Sequence, residues 1–93
     1  MVATLSLLLH LPNCHSLKEK RGFVKPLLHH LHRKFNLSVA EMEFQDVHQK
    51  AVITCAMVGN DPAYLHSALE NVKRWVEANL PEGEVLDSKI EPV

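Results

Sequence analysis

The stretch LSVAEMEFQDVHQKAVITCAMV, residues 37–58, decides the fold. LSVAEMEF alternates with the period of two that sends successive side chains to opposite faces of a sheet. AVITCAMV, residues 51–58, is apolar nearly throughout, and the polar QDVHQK between the two runs reads as a hairpin turn. A hairpin in the middle of a 93-residue chain leaves similar lengths on either side.

Outward from that hairpin, each side carries one helix and one strand. VATLSLLLHL (residues 2–11) alternates, with Ala3, Leu5, Leu7, Leu9 and Leu11 on one face and Val2, Thr4, Ser6, Leu8 and His10 on the other, until Pro12 ends it. Ser16-Leu17-Lys18-Glu19 is a capping box, in which the Ser16 hydroxyl accepts from the Glu19 amide and the Glu19 carboxylate reaches back to the amide of Ser16. Leu17, Val24, Leu27, Leu28, Leu31 and Phe35 then recur at helical spacing, and Asn36 stops the helix. Pro26 has no N–H for the carbonyl of Gly22, so a kink is expected near Gly22–Lys25, within one helix because the stripe keeps its phase. On the other side Asp61 is the N-cap of a second helix, with Pro62 at its first position. Leu65, Ala68, Leu69, Val72, Trp75 and Val76 form its buried face. Leu80-Pro81-Glu82-Gly83 stops it, and EVLDSKIE (residues 84–91) alternates as a last strand.

The order β-α-β-β-α-β with right-handed crossovers predicts a single domain over residues 1–93, an α+β ferredoxin-like fold with a four-stranded antiparallel sheet and two helices on one face. Strand charge agrees. The first and third strands are the least charged, as central strands are. The second carries Glu41 and Glu43 and the fourth Asp87, Lys89 and Glu91, charges of the kind that guard free edges.

Composition narrows the class. With 46% hydrophobic and 23% charged residues the chain is globular in type and not disordered. No apolar run approaches the ~20 residues of a membrane span. The opening VATLSLLLHL lacks the basic flank and small-residue cleavage site of a secretory signal. Two cysteines, Cys14 and Cys55, are too few for a disulfide scaffold and have no metal-ligand spacing, so a cytoplasmic protein with reduced thiols is expected. The net charge of −1 hides a gradient. Residues 1–40 hold six Lys/Arg against the single acid Glu19, net +5, and residues 41–93 hold four against ten acids, net −6. Such asymmetry suits a polyanion-facing surface or two subunits pairing opposite charges.

Catalytic chemistry has little to stand on. His29 and His32 lie three apart on one helix, but HHLH lacks the Glu of an HExxH site and has no acid or thiol nearby in sequence. Cys14 sits beside His15 just before a helix whose dipole could lower a thiol pKa, yet no third group is present to orient a base. Cys55 lies in an apolar strand and reads as core. The only glycines, Gly22, Gly59 and Gly83, form no phosphate-cradling loop. A non-enzymatic protein without catalytic residues, metal or cofactor is expected.

The first helix is more informative. Lys18, Arg21, Lys25, His29 and His32 follow one another at spacings of three, four, four and three, which stacks them on one ridge beside the buried stripe. Lys20 and Lys34 fall near the opposite margin. The expected nucleic-acid contacts are Lys18, Lys20, Arg21, Lys25, His29 and His32, which would attract phosphates by charge without reading sequence. On the far face of the sheet, Thr4, Ser6, Thr54 and Ala56 are small and no aromatic is available to stack bases, so that face is expected to pair two copies of the chain in a homodimer. The rival expectation is a small-molecule regulatory module of ACT type, which shares the element order and also pairs domains. Such modules commonly carry glycine after the first strand, where Pro12-Asn13-Cys14-His15 has none.

HSLKEKRGFVKPLLHHLHRKFNLSVAE, then QDVHQKAVI, then Gly59-Asn60-Asp61, resembles the YlxP-like family of small bacterial proteins, a domain of unknown function. The resemblance runs over nearly the whole chain, and SLKEKR and FNLSVAE are its most specific parts. Lys18, Glu19, Lys20, Arg21, the segment Asn36–Glu41, Gln45, Asp46 and Gln49 stand at positions characteristic of the family. His48 departs from it, where relatives commonly carry an aromatic. The resemblance implies a cytosolic ferredoxin-like protein encoded beside translation and ribosome-maturation factors, with no established catalytic residues. That setting makes ribosomal RNA or a ribosomal subunit the expected partner.

Overall fold

Val2–His10 forms strand β1, and its alternation is realised as written: Ala3, Leu5, Leu7 and Leu9 are buried while Val2, Thr4, Ser6, Leu8 and His10 are half-exposed on the other face. In the computed structural model, which covers residues 1–93, the remaining elements are α1 (Leu17–Lys34), β2 (Ser38–Glu43), β3 (Lys50–Val58), α2 (Pro62–Ala78) and β4 (Glu84–Pro92). The strands form one antiparallel sheet in the order β2-β3-β1-β4. This is the expected α+β ferredoxin-like arrangement, with β1 and β3 central and β2 and β4 at the edges.

The core lies between the sheet and the helices. Leu5, Leu7 and Leu9 of β1 and Ala51, Ile53 and Cys55 of β3 pack in one cluster with Val24, Leu27 and Leu31 of α1 and Leu65, Leu69, Val72 and Val76 of α2. One sheet face therefore carries both helices, and the other is left open. No helix is long and apolar enough to cross a membrane.

Local signals account for the helix ends. Ser16, in an extended conformation, accepts from the Glu19 amide at 3.1 Å. The other arm of the expected capping box is not made: the Glu19 carboxylate meets the Ser16 hydroxyl at 3.5 Å instead of the Ser16 amide. α1 continues unbroken through Pro26. Pro26 and Gly22 are both exposed, so the Gly22 carbonyl that Pro26 cannot bond faces water. Asp61 accepts from the Ala63 amide at 3.0 Å, as a cap before Pro62 should. At the far end of α2, the Asn79 side chain donates to the Trp75 carbonyl at 2.8 Å.

Each edge strand carries a bulge. β4 shifts register between Leu8 and Leu9 of its neighbour, leaving Leu86 as the extra residue, and β2 shifts between Glu41 and Glu43, leaving Met42. Upstream of its bulge, β2 pairs Glu41 with Ile53, and Ile53 faces the helices. Glu41 is thus turned inward under α1, and an inward-pointing charge is itself a guard of an edge strand.

Candidate nucleic-acid interface

The basic ridge forms as its spacing dictates. Lys18, Arg21, Lys25, His29 and His32 are all exposed along α1, over about 21 Å from first to last at 1.5 Å per residue. The four ion pairs of the chain join His10 to Glu84, Lys20 to Glu41, His66 to Glu70 and Lys89 to Glu91. The ridge cations Lys18, Arg21 and Lys25 are therefore not neutralised within the fold. His32 is tethered: its Nδ1 lies 2.9 Å from the Leu37 carbonyl. A carbonyl only accepts, so Nδ1 carries the proton and Nε2 remains for another partner.

Lys20 does not belong to this surface, and its inclusion among the phosphate contacts is corrected. It is 2% exposed. Its ammonium donates to the Phe44 carbonyl at 2.6 Å and the Val47 carbonyl at 2.8 Å, and lies 2.7 Å from Glu41 Oε2. The two carbonyls take two of the three ammonium protons, and the carboxylate pairs with the ammonium by charge. Glu41 Oε2 accepts no well-angled hydrogen bond from any group, so its burial is compensated by the charge of Lys20 alone. The segment that Lys20 holds is the hairpin turn itself, where the Val47 amide donates to the Phe44 carbonyl at 2.9 Å and Phe44 adopts a φ of 61°. The signal was present in the spacing. Lys20, Val24, Leu27 and Leu31 run at four, three and four, in phase with the buried stripe and not with the ridge.

Both thiols are free and buried, Cys14 beside the cleft at the start of α1 and Cys55 in β3. Cys14 is buried, and its thiol is pushed up by burial and by the nearby Glu19 carboxylate, with the Lys20 ammonium opposing in part. The shift runs opposite to the lowering that a helix N-terminus can produce. Cys55 is core as expected, and burial pushes its thiol up to about 12.

The open sheet face carries the small residues expected of it. Ser6 and Thr54 hydrogen-bond across β1 and β3 at 3.2 Å, and Thr4 and Ala56 are paired partners nearby. β4 borders this strip with charge, because Glu91, Lys89 and Asp87 stand opposite Thr4, Ser6 and Leu8. The hairpin positions sit beside the helix start: the Leu11 amide donates to the Gln49 carbonyl at 2.8 Å, and the Gln49 side chain reaches the Pro12 carbonyl at 3.4 Å. Gln45 turns back on the Glu41 carbonyl at 3.3 Å. His48 is exposed.

The family model described as protein of unknown function (DUF503) matches residues 2–90. The chain is 33% identical over 63 residues to "Uncharacterized protein YlxP" of Bacillus subtilis (strain 168), an overlap covering 68% of this chain and 68% of that protein.

Proposed function

The chain belongs to the DUF503 family, and we propose that it acts as a non-enzymatic accessory protein binding structured RNA, ribosomal RNA foremost, through the ridge of α1. One observation carries this reading: Lys18, Arg21 and Lys25 are exposed on one helical ridge with no intramolecular counter-ion, in a chain whose net charge is −1. The structured-RNA ridge is Lys18, Arg21, Lys25, His29 and His32, without Lys20. Attraction of phosphates by such a ridge is sequence-independent and positions the protein on an RNA surface. The cytoplasm, where ribosomal RNA resides, is the compartment this function requires.

Three lysine and arginine contacts make a weak site, so the working form is a homodimer that presents two ridges to one RNA. The open face of the sheet supports that assembly with its strip of small residues. A dimer contacting about six phosphates loses affinity on the order of a thousandfold between 50 and 200 mM salt.

The test is co-sedimentation with ribosomal subunits, comparing wild type with Lys18→Glu/Arg21→Glu/Lys25→Glu. Loss of association in the folded triple variant supports the ridge, and equal association excludes it. A thermal-shift screen against amino acids and nucleotides runs beside it. Clear stabilisation there, with no subunit association, transfers the assignment to a small-molecule regulatory module of ACT type.

A further inference from the structure

The ridge occupies one flank of α1, and the opposite flank faces α2 across a groove. Three clefts make up most of it, with volumes of about 460, 410 and 350 Å³. They are continuous, because His30 and Trp75 line both the first and the second, and Lys34 lines both the second and the third. At 100° per residue, the groove-lining positions of α1 centre about 130° around the helix from the centre of the ridge, the two surfaces adjoining where Arg33 follows His29 by four residues.

The chemistry of this groove is selective. The chain has 11 carboxylate side chains, and none lines any of the three clefts. The middle cleft is walled by His30, Arg33, Lys34 and the single tryptophan, Trp75. Phe35 meets the indole edge to face and fixes its setting. Further along, the third cleft adds Tyr64, which is 66% exposed, and Asn71, whose side chain is held by Arg74. Tyr64 and Trp75 are eleven residues apart on α2, hence nearly the same helical face and about 16 Å apart along the axis. They are two separate platforms and not a sandwich for one base. Acid returns only at the other end of α1, where a cleft of about 310 Å³ includes Glu19 and Glu82.

We propose that the α1–α2 groove binds a short single-stranded nucleic-acid segment, with bases stacked on Trp75 and Tyr64 and phosphates held by Arg33 and Lys34. This deepens the RNA reading and rests on it for the class of ligand. Stacking platforms interleaved with cations in a groove free of carboxylates are what a single strand requires, because every base offers a π-face and every nucleotide a negative charge. An acidic peptide would match the cations but would not call for two separate stacking platforms, and poly-glutamate in the test below distinguishes it. The acidic cleft at Glu19 and Glu82 sets where the strand must leave the groove. The ridge would then hold the structured part of an RNA while the groove takes an unpaired stretch beside it.

The experiment titrates the whole protein with eight-nucleotide oligo(A), oligo(U) and oligo(dT) at 50 mM salt, reading Trp75 fluorescence and the anisotropy of labelled oligonucleotide. Saturable quenching by any of them is expected, and comparing the ribose and deoxyribose strands identifies the source. Arg33→Glu/Lys34→Glu, both exposed positions, is expected to weaken binding at least tenfold, and Tyr64→Ala about fivefold or more. Lys18→Glu/Arg21→Glu/Lys25→Glu is expected to stay within twofold of wild type. Absence of quenching with all three oligonucleotides overturns the proposal, as does equal quenching by poly-glutamate. Loss of oligonucleotide binding in the ridge variant with retention in Arg33→Glu/Lys34→Glu also overturns it. Failure of subunit association with oligonucleotide binding intact removes the ridge reading and leaves the groove standing.

Discussion

Phe35 and Trp75 meet edge to face, with ring centroids 6.0 Å apart and planes at 80°. Phe35 caps the C-terminus of α1 and Trp75 lies on α2, so one aromatic contact sets where the first helix ends against the second. Edge-to-face pairs contribute about 0.5–1.5 kcal/mol beyond the area they bury. Phe35→Leu keeps much of that area and loses the ring geometry. It is expected to lower stability by about 1 kcal/mol in urea denaturation and to weaken the near-ultraviolet circular dichroism of Trp75. An unchanged dichroism spectrum would show that the pair does not fix the indole.

Removing the ammonium of Lys20 should be far more costly than removing any ridge cation. Lys20→Met leaves Glu41 Oε2 buried without a counter-charge and the Val47 carbonyl without its donor, while the Phe44 carbonyl keeps only the Val47 amide. Breaking a buried pair in this way costs about 3 kcal/mol or more. The double variant Lys20→Met/Glu41→Leu should recover most of that loss, because the orphaned charge goes with its partner. Urea midpoints for the wild type, both single variants and the double variant complete the cycle. Full additivity would mean that the two groups do not interact.

Two glycines should respond oppositely to alanine. A Cβ at Gly22 would meet nothing within 4 Å, so Gly22→Ala should stabilise α1 by about 0.5–1 kcal/mol. A Cβ at Gly83 would fall 3.0 Å from the His10 carbonyl oxygen and 3.3 Å from Leu11 and Leu80, so Gly83→Ala should destabilise the turn before β4. Thermal melts of the two variants check both signs at once.

The thiols fix the alkaline behaviour. Cys55 ionises near 9.0 when unfolded and only at about 12 when folded. Below the unfolded value both states hold the proton and the contribution to stability is level. As pH rises from 9 towards 12 the unfolded chain loses that proton first, so stability falls across that window. Cys14 is raised as well and pulls in the same direction. The melting temperature is expected to drop above pH 9, and a thiol reagent at pH 8 should label neither cysteine in the native protein and both in denaturant. Rapid native labelling at Cys14 would contradict its burial.

The elements were legible because each was set by near neighbours: alternation in VATLSLLLHL, the helical stripe of α1, and Asp61-Pro62 at the start of α2 all act within a few residues. Charge was legible only as far as helical phase was respected. Lys18 and Arg21 lie on the ridge, whereas Lys20, inside the same SLKEKR run, lies in phase with Val24 and Leu27 and goes inward. Its partners are a carboxylate 21 residues away and two carbonyls of a distant turn, which no local pattern encodes. The face of Glu41 was not legible for the same reason, since it follows from register with Ile53 and not from charge. The groove depends on how the two helices sit apart on the sheet, so the company of Trp75 with His30, Arg33 and Lys34 appears only when the chain is folded.

The tie between Lys20 and the hairpin turn also has a dynamic consequence. A single ammonium joins the first turn of α1 to residues 24 and 27 positions later in the chain. Neither segment can open without exposing the charge the other shelters, so the two should unfold locally as one cooperative unit. In native-state hydrogen exchange the Lys20 amide, bonded to the Ser16 carbonyl, and the Val47 amide, bonded to the Phe44 carbonyl, should report a common opening free energy. Severing the tie with Lys20→Met should split them, with the turn exchanging faster and the helix start keeping its own cap.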